Sequence, residues 1–119
     1  VEKGHVAQES ELGRVLVSGD AIAQIVGNTA LECYGVVGMT PRGPKVARLL
    51  TRDRPTQGVE VRGGEDGLHV ELHVVVEYGL NLAEVAATIR TRVAYEVERQ
   101  TGLRVAAVEV HIQDVRRSA

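Results

Sequence analysis

Three residues able to bind metals or carry protons alternate along one stretch of the chain: His69, Glu71 and His73. Successive side chains of an extended strand point to opposite faces, so these three project to the same side. A second stretch carries Glu109 and His111 with the same alternation. If the two strands are neighbours, imidazoles and carboxylates gather on one sheet face. Such donors suit zinc or another divalent transition metal. Imidazoles that titrate near neutrality suit a pH sensor equally well. A plainer reading competes: a sheet packed on one face and wet on the other shows the same alternation with mixed charge. The plainer reading is preferred, with no metal or other cofactor expected. A metal-binding or pH-sensing module built on His69, Glu71, His73 and His111 stands as the alternative.

Other chemistry has less support. Cys33, the sole cysteine, falls on the apolar stripe of a helix, where a thiol behaves as a small inert hydrophobe. Ser10, Ser18 and Ser118 have no His/Asp setting in the sequence. The glycine clusters Gly35–Gly38 and Gly63–Gly67 match neither a Walker loop nor a dinucleotide fingerprint. Both contain the letters GxxG, which in a KH-type RNA module clamp the nucleic-acid backbone between two helices. Gly64–Gly67, however, carries Glu65 and Asp66 in a predicted hairpin, and Gly35–Gly38 leads from a helix into a strand. A KH-like RNA-binding module is therefore a further alternative, and the reading expects no nucleic-acid partner and no enzymatic activity.

The elements that must position these residues follow from periodicity. Residues 1–12 are polar without a period and read as a flexible tail, with a single domain over 13–119. Arg14–Val17 is a short strand and Ser18 an N-cap, with Asp20 in the first helical turn. From Asp20 to Tyr34 a helix carries Ile22, Ile25, Val26, Thr29, Ala30 and Cys33 on one stripe, with Gly27 off it. Gly35 is expected to cap it in a left-handed conformation, and Gly38 to allow close approach of helix to strand. A strand over Val36–Thr40 and a short helix over Lys45–Arg52 follow. Val59–Arg62 and Leu68–Tyr78 form a hairpin about GGEDG. Leu80–Thr101 is the clearest helix, with Asn81 and Glu84 at capping-box spacing, Leu80 and Val85 as a staple, and Gly102 as the stop. Arg104–Val115 is the last strand. The order β-α-β-(short α)-β-β-α-β, with one apolar stripe on each long helix, predicts a two-layer α/β (α+β) sandwich. Its mixed sheet carries both long helices on one face, and the long helix permits a parallel crossover between the last two strands.

Composition narrows the function classes. The 119 residues hold no Trp or Phe and only three Tyr, and the net charge is −2. An aliphatic core follows, with no aromatic platform for bases or sugars and no basic surface for nucleic acid. One cysteine allows no internal disulfide, which fits a reducing cytoplasm. No apolar run is long enough to cross a bilayer, so any membrane association is expected to be peripheral and through a partner.

The segment Gly13–Gly43, GRVLVSGDAIAQIVGNTALECYGVVGMTPRG, resembles the opening of the alkaline shock protein (YloU-like envelope stress) family. The junction that carries the likeness is Glu32, Gly35, Val36, Gly38 and Met39, read as a structural motif rather than a catalytic one. The resemblance extends over about Gly13–Val115. It implies a non-enzymatic cytoplasmic scaffold or adaptor that self-associates as a homo-oligomer. The implied partners are a membrane-anchored protein or a dihydroxyacetone-kinase-like or fatty-acid-kinase-like protein.

Overall fold

The computed structural model describes residues 5–10, 13–39 and 57–117, with side chains from Val17 onward. The short helix expected over Lys45–Arg52 lies outside the described residues. Strands β1 (His5–Ser10) and β2 (Gly13–Ser18) form an antiparallel two-stranded sheet. Helix α1 spans Gly19–Glu32, followed by β3 (Val36–Met39), β4 (Val59–Gly64) and β5 (Gly67–Glu77). Helix α2 spans Leu82–Thr101 and β6 spans Val105–Arg116. The strand at His5–Ser10 corrects the expectation of a loose tail over residues 1–12. Its sequence has no apolar alternation, and its backbone pairing with β2, from His5↔Ser18 to Ser10↔Gly13, is what makes it a strand.

The main sheet is organised around β5. One edge of β5 takes β6 in parallel along its whole length. The other edge is shared by two antiparallel strands placed end to end: β4 opposite residues 67–72 and β3 opposite residues 74–76. The seam is closed by His73 N–H donating to the Gly58 carbonyl at 2.9 Å, and Glu77 N–H donating to the Gly35 carbonyl at 2.8 Å. The mixed sheet anticipated from the helix between β5 and β6 is thus formed.

Both helices cover one face of this sheet. Leu68, Val70, Leu72, Val74 and Val76 point inward from β5 and pack with Ile22, Val26 and Ala30 of α1 and Val85, Ile89, Val93 and Val97 of α2. Each Val, Ile or Leu fully buried here contributes on the order of 1.5–3 kcal/mol. The buried side of α1 is broader than its predicted stripe. Gly19, Ala23 and Gly27 are buried as well, while Ile25 is only partly so. Gly27, expected off the packed side, is buried.

The helix ends follow local chemistry. Ser18 Oγ accepts from Ala21 N–H at 3.0 Å, and Asn81 Oδ1 accepts from Glu84 N–H at 3.1 Å, each satisfying an otherwise unpaired first-turn donor. Gly102 closes α2 in the left-handed region at φ 76°. The end of α1 departs from expectation. Its cap is Cys33 in an extended conformation, and Gly35 lies two residues further on at φ 92°. Gly35 is constrained twice, because a Cβ there would lie 2.6 Å from Leu80 Cδ1 and 3.4 Å from Val85 Cγ2. The staple residues Leu80 and Val85 therefore close over this glycine. Gly67, at φ 128°, is comparably confined, since a Cβ would meet the Arg104 carbonyl oxygen at 2.8 Å; its bareness lets the start of β6 reach β5. Gly38 is not the close-approach position that the sequence suggests. Among the described residues nothing lies within 4 Å of a Cβ built on it, and its place beside the register shift in β3 leaves it room.

These differences separate two glycines of the same motif. Gly35→Ala should cost about 2–4 kcal/mol, combining left-handed strain with overpacking. Gly38→Ala should stay within about 0.5 kcal/mol, as an open site would. Urea unfolding of the two variants against the parent chain measures both.

Candidate functional site

The outer face of the sheet, away from the helices, carries the candidate residues. Parallel pairing aligns two Glu-x-His segments: Glu71 lies opposite Glu109 and His73 opposite His111. Glu71 Oε2 lies 3.1 Å from His111 Nε2 and 3.4 Å from His73 Nε2, and Glu109 Oε2 lies 3.5 Å from His111 Nε2. The two imidazole rings stack with centroids 4.6 Å apart and an interplanar angle of 11°. Gln113, the extra residue at a register shift in β6, places its amide nitrogen 3.0 Å from His73 Nδ1. Bulges commonly re-aim a side chain in this way.

This face is only in part the solvated wall expected from alternation: Glu109 and Gln113 are exposed, but two residues of β5 are not. His73 is only 6% exposed and Val75 only 3%, although both lie on the side of β5 opposite the helices. The His111 ring stacks on that of His73, and Glu71 and Gln113 lie beside it.

The four candidates do not all meet. Glu71, His73 and His111 offer donor atoms that all lie within 4.8 Å of one another. His69 stands apart, with its Nε2 2.8 Å from Asp66 Oδ1 in the β4–β5 turn. Hydrogen bonding from His69 holds the Asp66 carboxyl below its ordinary value. Glu109 joins the cluster through His111, and Gln113 joins it through His73. Glu109 was legible from its alternation with His111. Gln113 falls on the same alternation, but its contact with His73 comes at a bulge that the alternation does not encode.

The junction motif is spread through the fold. Glu32 is exposed and lines an open polar cleft between α1 and α2, together with Gln24, Asn28, Glu96, Arg99 and Gln100. Glu96 in this cleft accepts from Arg99 at 2.7 Å and from Gln100 at 3.1 Å; these bonds lower its pKa. Val36 and Met39 are partly buried against the core. Cys33 is buried and its Sγ lies 3.4 Å from the Thr29 carbonyl oxygen. Burial pushes its thiol pKa up, with a smaller opposing influence from Arg92. A reactive thiolate needs the reverse. Gly64–Gly67 closes the β4–β5 hairpin and Gly35–Gly38 joins a helix to a strand, so neither GxxG sits between two helices as a KH clamp requires.

The three tyrosines are all on the surface, with Tyr34 78%, Tyr78 59% and Tyr95 60% exposed. Tyr34 and Tyr78 share one end of the sheet with exposed Val37 and Val115. Val115 pairs with Val76, and Tyr78 N–H donates to the Arg116 carbonyl at 2.8 Å. The Arg117 guanidinium lies 4.5 Å from the centre of the Tyr78 ring.

Fold and surface together define a small two-layer α+β domain with an aliphatic core and its aromatic residues outside. Residues 7–117 match the model of the alkaline shock protein family, described as having a cell envelope-related function. The chain belongs to that family, as the resemblance of its Gly13–Gly43 segment implied. It is 32% identical over 110 residues to the uncharacterised protein YloU of Bacillus subtilis, covering 90% of this chain and 92% of the relative. It is 34% identical over 107 residues to the uncharacterised protein Spy1614 of Streptococcus pyogenes serotype M6, covering 87% and 88%. A second Bacillus subtilis protein, the uncharacterised YqhY, is 27% identical over 108 residues, covering 88% and 78%. No solved structure matches the chain. Among the described residues no helix is long and apolar enough to cross a membrane.

Two checks follow from these environments. Cys33 should resist a thiol reagent such as an aromatic disulfide at neutral pH in the folded chain and react fully in denaturant; rapid labelling of the native protein would contradict its burial. NMR titration should place the Asp66 midpoint below 3.8, the ordinary value. A depressed folded pKa means that any stability from this carboxylate is present above the unfolded value and lost as pH falls through the folded one. His69→Ala should return the midpoint toward 3.8.

Proposed function

We propose that the protein is a non-enzymatic scaffold or adaptor of the cell envelope, working by self-association and protein–protein contacts. The observation that carries this reading is the end of the sheet where Tyr34, Val37, Tyr78 and Val115 are exposed together. Tyrosines bring large contact area with a polar handle and are enriched at interfaces. In a chain with only three aromatic residues, two of them at one end of a sheet form its most contact-ready surface. The strand leading there adds a second means of attachment. β6 is twelve residues long and pairs with β5 on one edge, and among the described residues no strand pairs with its other edge. An edge of that kind can accept a strand from another chain.

The family's cell-envelope association supports the same reading. In it, the protein is cytoplasmic and reaches the membrane through an anchored partner. A dihydroxyacetone-kinase-like or fatty-acid-kinase-like protein is the other candidate partner.

Light scattering across a concentration series should show the mass rising above that of one chain. Tyr34→Ala combined with Tyr78→Ala should weaken the association at least tenfold. A strict monomer at every concentration that also captures no envelope protein on crosslinking in the native organism would overturn the reading.

A further inference from the structure

We infer that Glu71, His73 and His111, with Glu109 beside them, form a binding site for one divalent transition-metal ion such as zinc. In-register pairing sets two carboxylates, Glu71 and Glu109, directly across from each other on neighbouring strands, and two imidazoles likewise. Both carboxylates reach toward the same nitrogen, His111 Nε2, at 3.1 and 3.5 Å, so oxygen and nitrogen donors converge on one spot.

The spacing also fits a metal. Ligand bonds of about 2.0–2.1 Å in a tetrahedral zinc site place donor atoms about 3.3 Å apart. Three donor separations, 3.1, 3.4 and 3.5 Å, are close to the edges of such a tetrahedron, and the donors of Glu71, His73 and His111 as a set lie within 4.8 Å of one another. The mixed nitrogen and oxygen donor set is one that zinc accepts, and softer sulfur-seeking ions are disfavoured by the lack of a thiolate.

Burial adds a further observation. His111 Nε2 is sealed from solvent and, among the described residues, makes no hydrogen bond of good geometry, although two carboxylate oxygens lie within 3.5 Å. A buried polar atom surrounded by acceptors but aligned with none is suited to a ligand that binds without a hydrogen bond.

The surroundings supply orientation. With the Gln113 amide turned so that its oxygen faces His73 Nδ1, that nitrogen carries the proton and donates, leaving the Nε2 lone pair for the ion. Metal-bound histidines are commonly fixed by such a partner on the other ring nitrogen. Stacked rings send their Nε2 lone pairs out nearly parallel, so binding must splay His73 and His111 apart. His69 takes no part, because its imidazole is bound to Asp66.

The test uses the full chain purified without a histidine tag and titrated with Zn²⁺ and with Co²⁺ as a spectroscopic probe. One equivalent should bind, with visible Co²⁺ absorption that saturates at one ion per chain and is displaced by Zn²⁺. His73→Ala and His111→Ala should each weaken binding at least 100-fold, Glu109→Gln about tenfold, and His69→Ala not measurably. Ring-proton NMR of the unsubstituted chain gives a readout independent of variant folding. Zn²⁺ should move the His73 and His111 resonances and leave those of His5 and His69 in place. No saturable one-to-one binding, shifts centred on His5 or His69, or equal loss in His69→Ala and His111→Ala would each overturn the assignment.

Discussion

The parallel pairing of β5 with β6 is the constraint on which the rest of the structure depends. Two neighbouring parallel strands require the chain to travel back over the sheet between them. Helix α2 makes that return, and its 20 residues span about 30 Å at 1.5 Å per residue. Eleven residues of β5 cover about 36 Å, so helix and strand are matched in length. The return fixes which residues face each other, seats α2 on the core face, and requires β6 to begin tightly against the β4–β5 turn. There Leu68 N–H donates to the Arg104 carbonyl at 2.8 Å, Arg104 Nε donates to the Asp66 carbonyl at 3.1 Å, and Gly67 supplies the necessary space. Glu98 at the end of α2 accepts from Val105 N–H at 2.9 Å, tying the helix exit to the strand start.

One strand therefore serves as the spine of the molecule. β5 has both edges filled, one by β6 and the other by β4 and β3 in succession. Its inward side is nearly pure valine and leucine, and its outward side carries histidine and glutamate, interrupted by buried Val75. Valine suits this position, because β-branched side chains pack well on a pleated surface. The same choice explains the tyrosines. A core of thin aliphatic layers has no place for rings, and the three tyrosines lie on the surface.

Much of this was legible from residues alone. The alternation Leu68–Val76 identifies the central strand, and the stripe from Val85 to Val97 identifies the helix that covers it. Ser18 and Asn81 mark helix starts because their side-chain oxygens bond to first-turn amides. Other features were hidden for physical reasons. The strand at His5–Ser10 has no hydrophobic signature, because its existence depends on a partner. Gly35 and Gly38 look alike in a motif, but only one has Leu80 and Val85 packed over it. The separation of His69 from the other histidines depends on a hydrogen bond to Asp66, three residues earlier in a turn.

By itself, the sequence determined the type and order of the elements from β2 onward among those described, the face each presents to the core, and the family. These depend on spacing along the chain, which backbone geometry converts directly into direction. Only the tertiary structure decided that Glu71 stands opposite Glu109 and His73 opposite His111, that a bulge sends Gln113 to His73, and that His73 and Val75 on this face are buried. Register between distant strands is set by how far α2 carries the chain and where Gly67 lets it land. No local pattern of residues encodes that distance.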